Sequence, residues 1–280
     1  GGTGDDTFTA NATSAATTNS YTTGDSVTGG EGTDRLTVAI SDGATTPSAL
    51  VSTSGVEELS IFNNDSGGFV VQGDLMDGLT DIYVTSGQDA TTVDQLNSTP
   101  NLHLTSTNVD ATLAATTATV AGTADAITIA SNGVASTSSV TATFNGIETI
   151  NLAGSGANTG SATTALTVAS TDLETVNVTG ATNMYVVADL TGADNAGEVA
   201  TFDASAATGN IDATLTAGGS TELAVTMGSG DDVITLGAMD KDYTVDGGEG
   251  TDRIETSAAA YSAALLAAGT LTGQNVTNVE

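Results

Sequence analysis

Cysteine is absent from this 280-residue chain, and basic residues are scarce, with three Lys and Arg against 34 Asp and Glu. Without cysteine there are no disulfides, no thiolate catalysis and no cysteine-based zinc site. The formal net charge of -31 excludes nucleic acid as a partner, because phosphate must be neutralised by Lys and Arg. Such a charge repels itself in a compact protein, and divalent cations bound to carboxylates would relieve that repulsion. The alternative is that acidity serves solubility alone.

Large core residues are also scarce. Trp is absent, aromatic residues make up 4% of the chain, and there are two prolines. No apolar run approaches the roughly 18–20 residues of a membrane-spanning helix, so membrane insertion is not expected. Apolar residues nevertheless make up 39% of the chain, and they alternate with polar ones, which argues against disorder.

Short stretches of period-two alternation, rich in β-branched residues, recur along the chain; DIYVT (81–85) and TVNVT (175–179) are examples. Separated by Gly, Asn, Asp and Ser, they predict an all-β fold. We expect a parallel β-solenoid or β-roll built from short strands, in which each coil buries its apolar side chains against the next. A string of antiparallel sandwich modules is the alternative.

Two local features qualify this expectation. Asn-Gly dipeptides at 132–133 and 145–146 favour hairpins, so sandwich-like insertions are allowed in the middle of the chain. The only segment with helical character is SAALLAAG (262–269), with PSALVSTSG (47–55) as a weaker counterpart.

The most informative motif occurs four times. GGTGDDTF (1–8) and GGEGTDRL (29–36) lie near one end, and MGSGDDVI (227–234) and GGEGTDRI (247–254) near the other. All fit G-G-x-G-x-D-x-U-x, the calcium-binding repeat of parallel β-helices, where U is a large apolar residue.

The two motif pairs divide the chain. Residues 227–280 read as a second copy of about 1–57, so we predict a turn pair with its following element (1–57), a solenoid body (58–226) and the start of the next repeat (227–280). The chain is then a segment of a larger repetitive protein.

The motif indicates which atoms would bind calcium. Calcium takes six to eight oxygen ligands, which one turn cannot supply but two turns stacked one coil apart can. We expect Asp232 and Asp252 to share an ion, and Asp6 and Asp34 to do so only if residues near 10–26 loop out. The backbone carbonyls of the motif glycines would add ligands. These candidates are Gly2, Gly4, Gly30, Gly32, Gly228, Gly230, Gly248 and Gly250. The alternative is that these Gly-Asp turns only close the coils.

These motifs resemble repeats-in-toxin (RTX) sequences. Together with FDASAATGN (202–210) and the elements VEELSI (56–61), IETINL (147–152) and LETVNV (173–178), they are similar to RTX-type bacterial surface-layer proteins. The resemblance implies a calcium-bound β-roll, type I secretion and assembly at the cell surface.

Other polar residues carry weaker signals. Asp5 and Asp231 either add carboxylates to the ion or face solvent. Arg35 and Arg253 follow the motif Asp and predict salt bridges to nearby carboxylates. The single histidine, His103, lies between leucines without an obvious Ser or carboxylate partner, so we expect it to pack within its strand. Catalysis is therefore not expected.

The function that the sequence favours is structural. We expect an extracellular protein that forms a calcium-dependent surface layer or sheath by self-assembly. Its partners would be copies of itself in a lattice or filament, with cell-surface polysaccharide as a further candidate. An RTX-type biofilm adhesin stalk is the first alternative, and an RTX-bearing polysaccharide-modifying enzyme is the second.

Overall fold

The alternating stretches form strands that stack in parallel as a β-solenoid in a computed structural model of the chain. The structure describes residues 1–15, 17–41, 43–44, 49–66, 69–85, 87–192, 199–217, 222–237, 243–256 and 275–279. Within these residues the fold is all-β. Every described strand pairs in parallel with a strand of a neighbouring coil, and strands inside the two long sheets pair on both sides, as expected for a solenoid.

Two long sheets and one short sheet make up the described solenoid. Sheet 1 has 12 strands, in the order β1 (Thr7–Ala12), β3 (Arg35–Ile40), β5 (Glu58–Asn63), β7 (Asp81–Thr85), β9 (Asn101–Thr105), β11 (Ala126–Asn132), β13 (Thr149–Gly154), β15 (Thr175–Gly180), β17 (Val199–Ala207), β19 (Glu222–Thr226), β21 (Thr244–Asp246) and β23 (Asn275–Thr277). Sheet 2 has nine strands, in the order β22 (Arg253–Thr256), β20 (Val233–Leu236), β18 (Ile211–Ala217), β16 (Met184–Leu190), β14 (Leu166–Ala169), β12 (Val140–Phe144), β10 (Ala111–Ala115), β8 (Thr91–Leu96) and β6 (Val70–Gln72). Sheet 3 pairs β2 (Ser26–Thr28) with β4 (Ser52–Ser54).

The core lies between the sheets and consists of aliphatic side chains stacked coil upon coil. One ladder runs through sheet 1 in strict register: Leu36, Leu59, Ile82, Leu102, Ile129, Leu152 and Val178. Each of these side chains is at most 1% exposed. Burying one such side chain contributes roughly 1.5–3 kcal/mol, so repetition of one register stabilises the whole stack.

The turns differ from some sequence expectations. Asn132 and Asn145 each precede a glycine with φ near +60°, but these turns close parallel coils, and the prediction of hairpins there was wrong. Among the described residues, the one antiparallel contact is the isolated bridge between Ser161 and Thr164. Residues 49–55 contain β4 and no helix, and the helix predicted over 262–269 lies outside the described residues.

Candidate calcium-binding turns

The four motif aspartates stack in two pairs, one coil apart. The backbone N–H of Asp6 donates to Oδ1 of Asp34 (2.7 Å), 28 residues later in the chain. The N–H of Asp232 donates to Oδ1 of Asp252 (2.9 Å), 20 residues later. The described residues between β1 and β2 (13–15 and 17–25) contain no strand, and this long connection allows the wider-spaced pair to align. The structure therefore brings together both pairs that the sequence proposed.

These carboxylates are buried, and two oxygens have no partner. Asp34 is fully buried, and Asp232 and Asp252 are each 1% exposed. Oδ2 of Asp34 and Oδ2 of Asp232 make no hydrogen bond, whereas Oδ2 of the half-buried Asp6 accepts the Gly2 N–H (2.7 Å). A buried, unpartnered carboxylate oxygen costs folding energy unless a cation or another group satisfies it.

The surroundings of Asp232 disfavour its charge. Burial raises its pKa, the hydrogen bond from the Ile211 N–H opposes that shift, and the nearby Asp252 carboxylate adds to it. The Gly228 amide, which is near Asp232 but not in hydrogen-bond geometry with it, further opposes the shift, and the Asp231 carboxylate adds to it. The net effect is a pKa above that of an ordinary aspartate, so a cation at this carboxylate would stabilise the ionised form.

In the three motifs that begin with glycine, that first glycine leaves room beside the motif carboxylate. A Cβ on Gly29 would clash with the Gly55 carbonyl oxygen and with Oδ2 of Asp34. A Cβ on Gly247 would clash with the Asn278 carbonyl oxygen and lie 2.8 Å from Oδ2 of Asp252. The absence of a side chain therefore allows a carboxylate oxygen and a carbonyl oxygen to meet at one point. The motif pattern predicts carbonyl ligands at its second and third glycines, and the first glycine joins the site only through the stacking of coils.

The glycines that were predicted have two separate structural roles. Gly30, Gly32, Gly248 and Gly250 have φ between +90° and +127°, a conformation that L side chains rarely adopt. Gly228 and Gly230 lie against the preceding coil, where a Cβ would meet the carbonyls of Ala207 and Gly209. Open space surrounds the Cβ positions of Gly2 and Gly4.

The motif carbonyls already accept hydrogen bonds. The carbonyl of Gly2 accepts the Glu31 N–H (3.0 Å), and that of Gly228 accepts the Glu249 N–H (2.8 Å). Each carbonyl oxygen keeps a second lone pair for a cation.

Carboxylates outside the motif also accept backbone N–H groups of the preceding coil, as Asp34 and Asp252 do. Oε2 of Glu57 accepts the Asp34 N–H (2.9 Å), and Oε2 of Glu148 accepts the Asp125 N–H (2.7 Å). Both glutamates lie in the repeated U-E-x-U-x-U elements, where U is a large apolar residue. That repetition was visible in the sequence, but its role as an acceptor for the preceding coil was not predicted.

Asp5 and Asp231 hold adjacent turns together. Oδ1 of Asp5 accepts the Thr33 N–H (2.9 Å), and Oδ1 of Asp231 accepts the Thr251 N–H (3.0 Å). Both side chains are exposed. The two motif pairs thus repeat the same hydrogen bonds, which supports their equivalence.

The donor set has the chemistry that calcium requires. It consists of carboxylate and carbonyl oxygens, the hard ligands that calcium prefers, and it includes the two unpartnered Oδ2 atoms. Within the described ranges, no three His, Cys, Asp or Glu side chains converge as a metal-binding group. The residues therefore fit a calcium ion that draws its remaining ligands from backbone carbonyls and water.

A second polar cluster lies on the outward face of sheet 1, and we call it the arginine–histidine cluster (Arg35, Glu58, Asp81, Tyr83 and His103). Arg35 forms a salt bridge with Glu58 (2.6 Å) and lies over the Tyr83 ring, 4.5 Å from its centroid. His103 stacks on Tyr83 with ring centroids 4.3 Å apart and bonds Oδ1 of Asp81 at 2.6 Å.

The structure gives partners for His103, Arg35 and Arg253, for which the sequence predicted strand packing and salt bridges. His103 packs against Tyr83, its register partner in the previous coil, and it also has a carboxylate partner that was not obvious in the sequence, Asp81 of that same coil. The salt bridges predicted for Arg35 and Arg253 are confirmed; Arg253 pairs with Glu255 at 2.7 Å, and both side chains are at least half exposed.

Comparison with protein-family models, with curated proteins and with solved structures found no match. Among the described residues, no helix is long and apolar enough to cross a membrane.

Proposed function

We propose that this chain is a calcium-stabilised structural segment of an extracellular surface protein. Its work would be to assemble with copies of itself into a surface layer or sheath. The observation that carries the proposal is the pair of buried, unpartnered carboxylate oxygens on Asp34 and Asp232. A fold that buries these two oxygens without a partner is destabilised by them, and calcium would convert that cost into stabilisation.

The ion would be held by the motif turns. Oδ2 of Asp34 with the Gly55 carbonyl, and Oδ2 of Asp252 with the Asn278 carbonyl, meet beside a motif glycine. Asp232 adds a second buried carboxylate to the later pair. When bound, calcium supplies positive charge to these oxygens and cross-links two successive coils.

The charge of the chain supports assembly that depends on calcium. With a net charge of -31, neighbouring copies repel one another, and bound divalent ions lower that repulsion. The RTX resemblance of the turns supports an extracellular location and type I secretion.

A melting experiment tests the calcium proposal directly. The chain is freed of metal by chelation and then melted at increasing calcium concentration, with magnesium at the same concentrations as the control. A melting temperature that rises with calcium and far less with magnesium supports the proposal. Melting curves that are identical in chelator and in millimolar calcium contradict it.

A further inference from the structure

A second surface, on the outward face of sheet 2, has the features of a ligand site that calcium does not explain. Tyr185 on β16 and Asp212 on β18 are register partners in successive coils, and Val233 on β20 follows them. Two grooves meet at this point, and both are lined by Tyr185 and Asp212. We call this surface the Tyr185 trough.

The first groove has a volume of about 200 Å³ and is bordered by the segment Ser161–Ala165. That segment is tied down by hydrogen bonds. The Gly160 N–H donates to the Val134 carbonyl (2.7 Å), and the Thr164 hydroxyl donates to the Ala135 carbonyl (2.6 Å). The wall of this groove is therefore built before any ligand arrives.

The second groove has a volume of about 190 Å³ and lies beside an asparagine ladder. Oδ1 of Asn183 accepts the Asn210 N–H (2.9 Å), and Oδ1 of Asn210 accepts the Asp231 N–H (3.2 Å). Because each Oδ1 is used in this way, each Nδ2 is left as a donor, and neither makes a hydrogen bond within the described part of the chain. Successive donors lie about one coil apart, ~4.8 Å.

An acceptor lines the same groove as these donors. The half-buried carboxylate of Asp212 makes no hydrogen bond to the described residues. Burial raises its pKa, the Glu255 carboxylate adds to that shift, and Arg253 opposes it. A half-buried carboxylate of this kind is stabilised by hydroxyl donors from a ligand.

The shape and chemistry select the class of ligand. Each groove is smaller than the ~300–1,000 Å³ typical of a compact ligand pocket, so a ligand must extend across both. A groove lined by an aromatic ring, amide donors and a carboxylate acceptor matches a ligand that presents apolar ring faces and many hydroxyls. The nearby Asp212 and Asp231, on a chain of net charge -31, repel an anionic polymer.

We infer that the Tyr185 trough binds a neutral polysaccharide, one sugar on each side of the Tyr185 ring. This site goes beyond the proposed calcium-dependent assembly, and it requires only that the solenoid be folded.

The test is isothermal titration calorimetry of the intact chain with neutral glycans (cellohexaose, maltohexaose and dextran) and with polygalacturonate as the anionic comparison. We expect at least one neutral glycan to bind and polygalacturonate not to bind. Tyr185→Ala should weaken binding at least about tenfold, and Tyr185→Phe should retain it. Tyr83→Ala, on the outward face of the opposite sheet, is the matched control and should bind as the unchanged chain does.

A second pair of variants guards against a misfolded Tyr185→Ala protein. Asn210→Asp keeps the Oδ1 that accepts the Asp231 N–H and removes the Nδ2 donor, and Asp212→Asn removes the carboxylate charge; each should weaken binding, with a melting temperature close to that of the parent. Failure of all three neutral glycans to bind, or an equal loss in Tyr185→Ala and Tyr83→Ala, overturns the inference. Either result leaves the calcium dependence of melting unchanged, so the two proposals fail independently.

Discussion

Asp6 and Asp232 occupy the same place in two copies of one motif, yet they precede strands of different sheets. Asp6 leads into β1 of sheet 1, and Asp232 leads into β20 of sheet 2. Each coil passes from sheet 1 to the opposite side of the solenoid and back. The chain between the two copies therefore completes a whole number of coils plus half of another, and the copies lie on opposite sides of the solenoid. If calcium binds both, the chain has ion-stabilised turns along both edges.

The buried charge at Asp232 predicts a stability effect whose sign depends on calcium. Asp232→Asn removes the charge, and its Oδ1 can still accept the Ile211 N–H. In chelator we expect the variant to be more stable than the parent by about 1 kcal/mol, because a buried carboxylate whose Oδ2 has no partner costs more than a neutral amide. In calcium at a hundred-fold excess over Kd the parent should gain about 2.7 kcal/mol per site, and the variant should lose the gain of one site.

Denaturant unfolding of both chains, with and without calcium, measures these differences. Asp203→Asn is the control, because Asp203 lies on the outward face of β17 and bonds the Ser205 N–H. If Asp232→Asn is less stable than the parent in chelator by as much as in calcium, the carboxylate is only a hydrogen-bond acceptor.

The same carboxylate predicts the pH dependence of the metal-free chain. The folded pKa of Asp232 is raised above 3.8, its ordinary value, so the folded state holds the proton more tightly than the unfolded state. Its contribution to the free energy of unfolding should therefore be highest below pH 3.8, and should fall as pH rises from there through the folded pKa. Comparing the parent with Asp232→Asn across this window in chelator isolates the effect. A difference between the two chains that does not vary with pH would contradict it.

The pair Asp81 and His103 predicts a pH dependence of stability opposite to that of Asp232. Partial burial opposes the charged form of Asp81, but hydrogen bonds from His103, Thr80 and Asn101 outweigh it and lower its pKa below 3.8. Stability from this group is present above pH 3.8 and is lost as pH falls through the folded pKa. An NMR titration of the Asp81 carboxyl carbon should show a midpoint below 3.8 that rises in His103→Ala. An unchanged midpoint in that variant would show that the pair has no electrostatic effect.

The space beside Gly29 predicts a strong effect of a single methyl group. Gly29→Ala places a Cβ against the Gly55 carbonyl and Oδ2 of Asp34, so it should destabilise the chain by about 1–3 kcal/mol and weaken its response to calcium. Gly237→Ala is the matched control, because nothing lies within 4 Å of that Cβ position and its cost should stay within about 0.5 kcal/mol. Thermal melts in chelator and in calcium separate the two effects. Equal behaviour of the two variants would argue against a site at Gly29.

Calcium should also drive assembly. Monovalent salt screens charge beyond about 8–10 Å but cannot bridge carboxylates. We therefore expect sheets or filaments in calcium and not in sodium at equal ionic strength, by electron microscopy and light scattering. Assembly in both salts would show that calcium acts only by screening charge, and assembly in neither would favour a monomeric adhesin stalk.

Much of the architecture could be predicted from the sequence, because it depends on local pattern. Alternation such as that of 81–85 places every second side chain inward, and the motif glycines permit turns that other residues cannot make. The pairs Asp6 with Asp34 and Asp232 with Asp252 follow from motif spacing. These local rules indicated a parallel solenoid and the aspartates that stack within it.

The tertiary structure decided which residues of different coils lie side by side. Coil length varies, as the 28 and 20 residues between stacked aspartates show. Which residues pair in successive coils therefore depends on the length of each coil and cannot be predicted from one segment of the sequence. Register places Tyr83 beside His103, with Asp81 two residues earlier on the same strand within reach of the imidazole, and it places Tyr185 beside Asp212. It also leaves Oδ2 of Asp34 buried without a partner, because burial depends on the coils stacked above and below rather than on the motif itself.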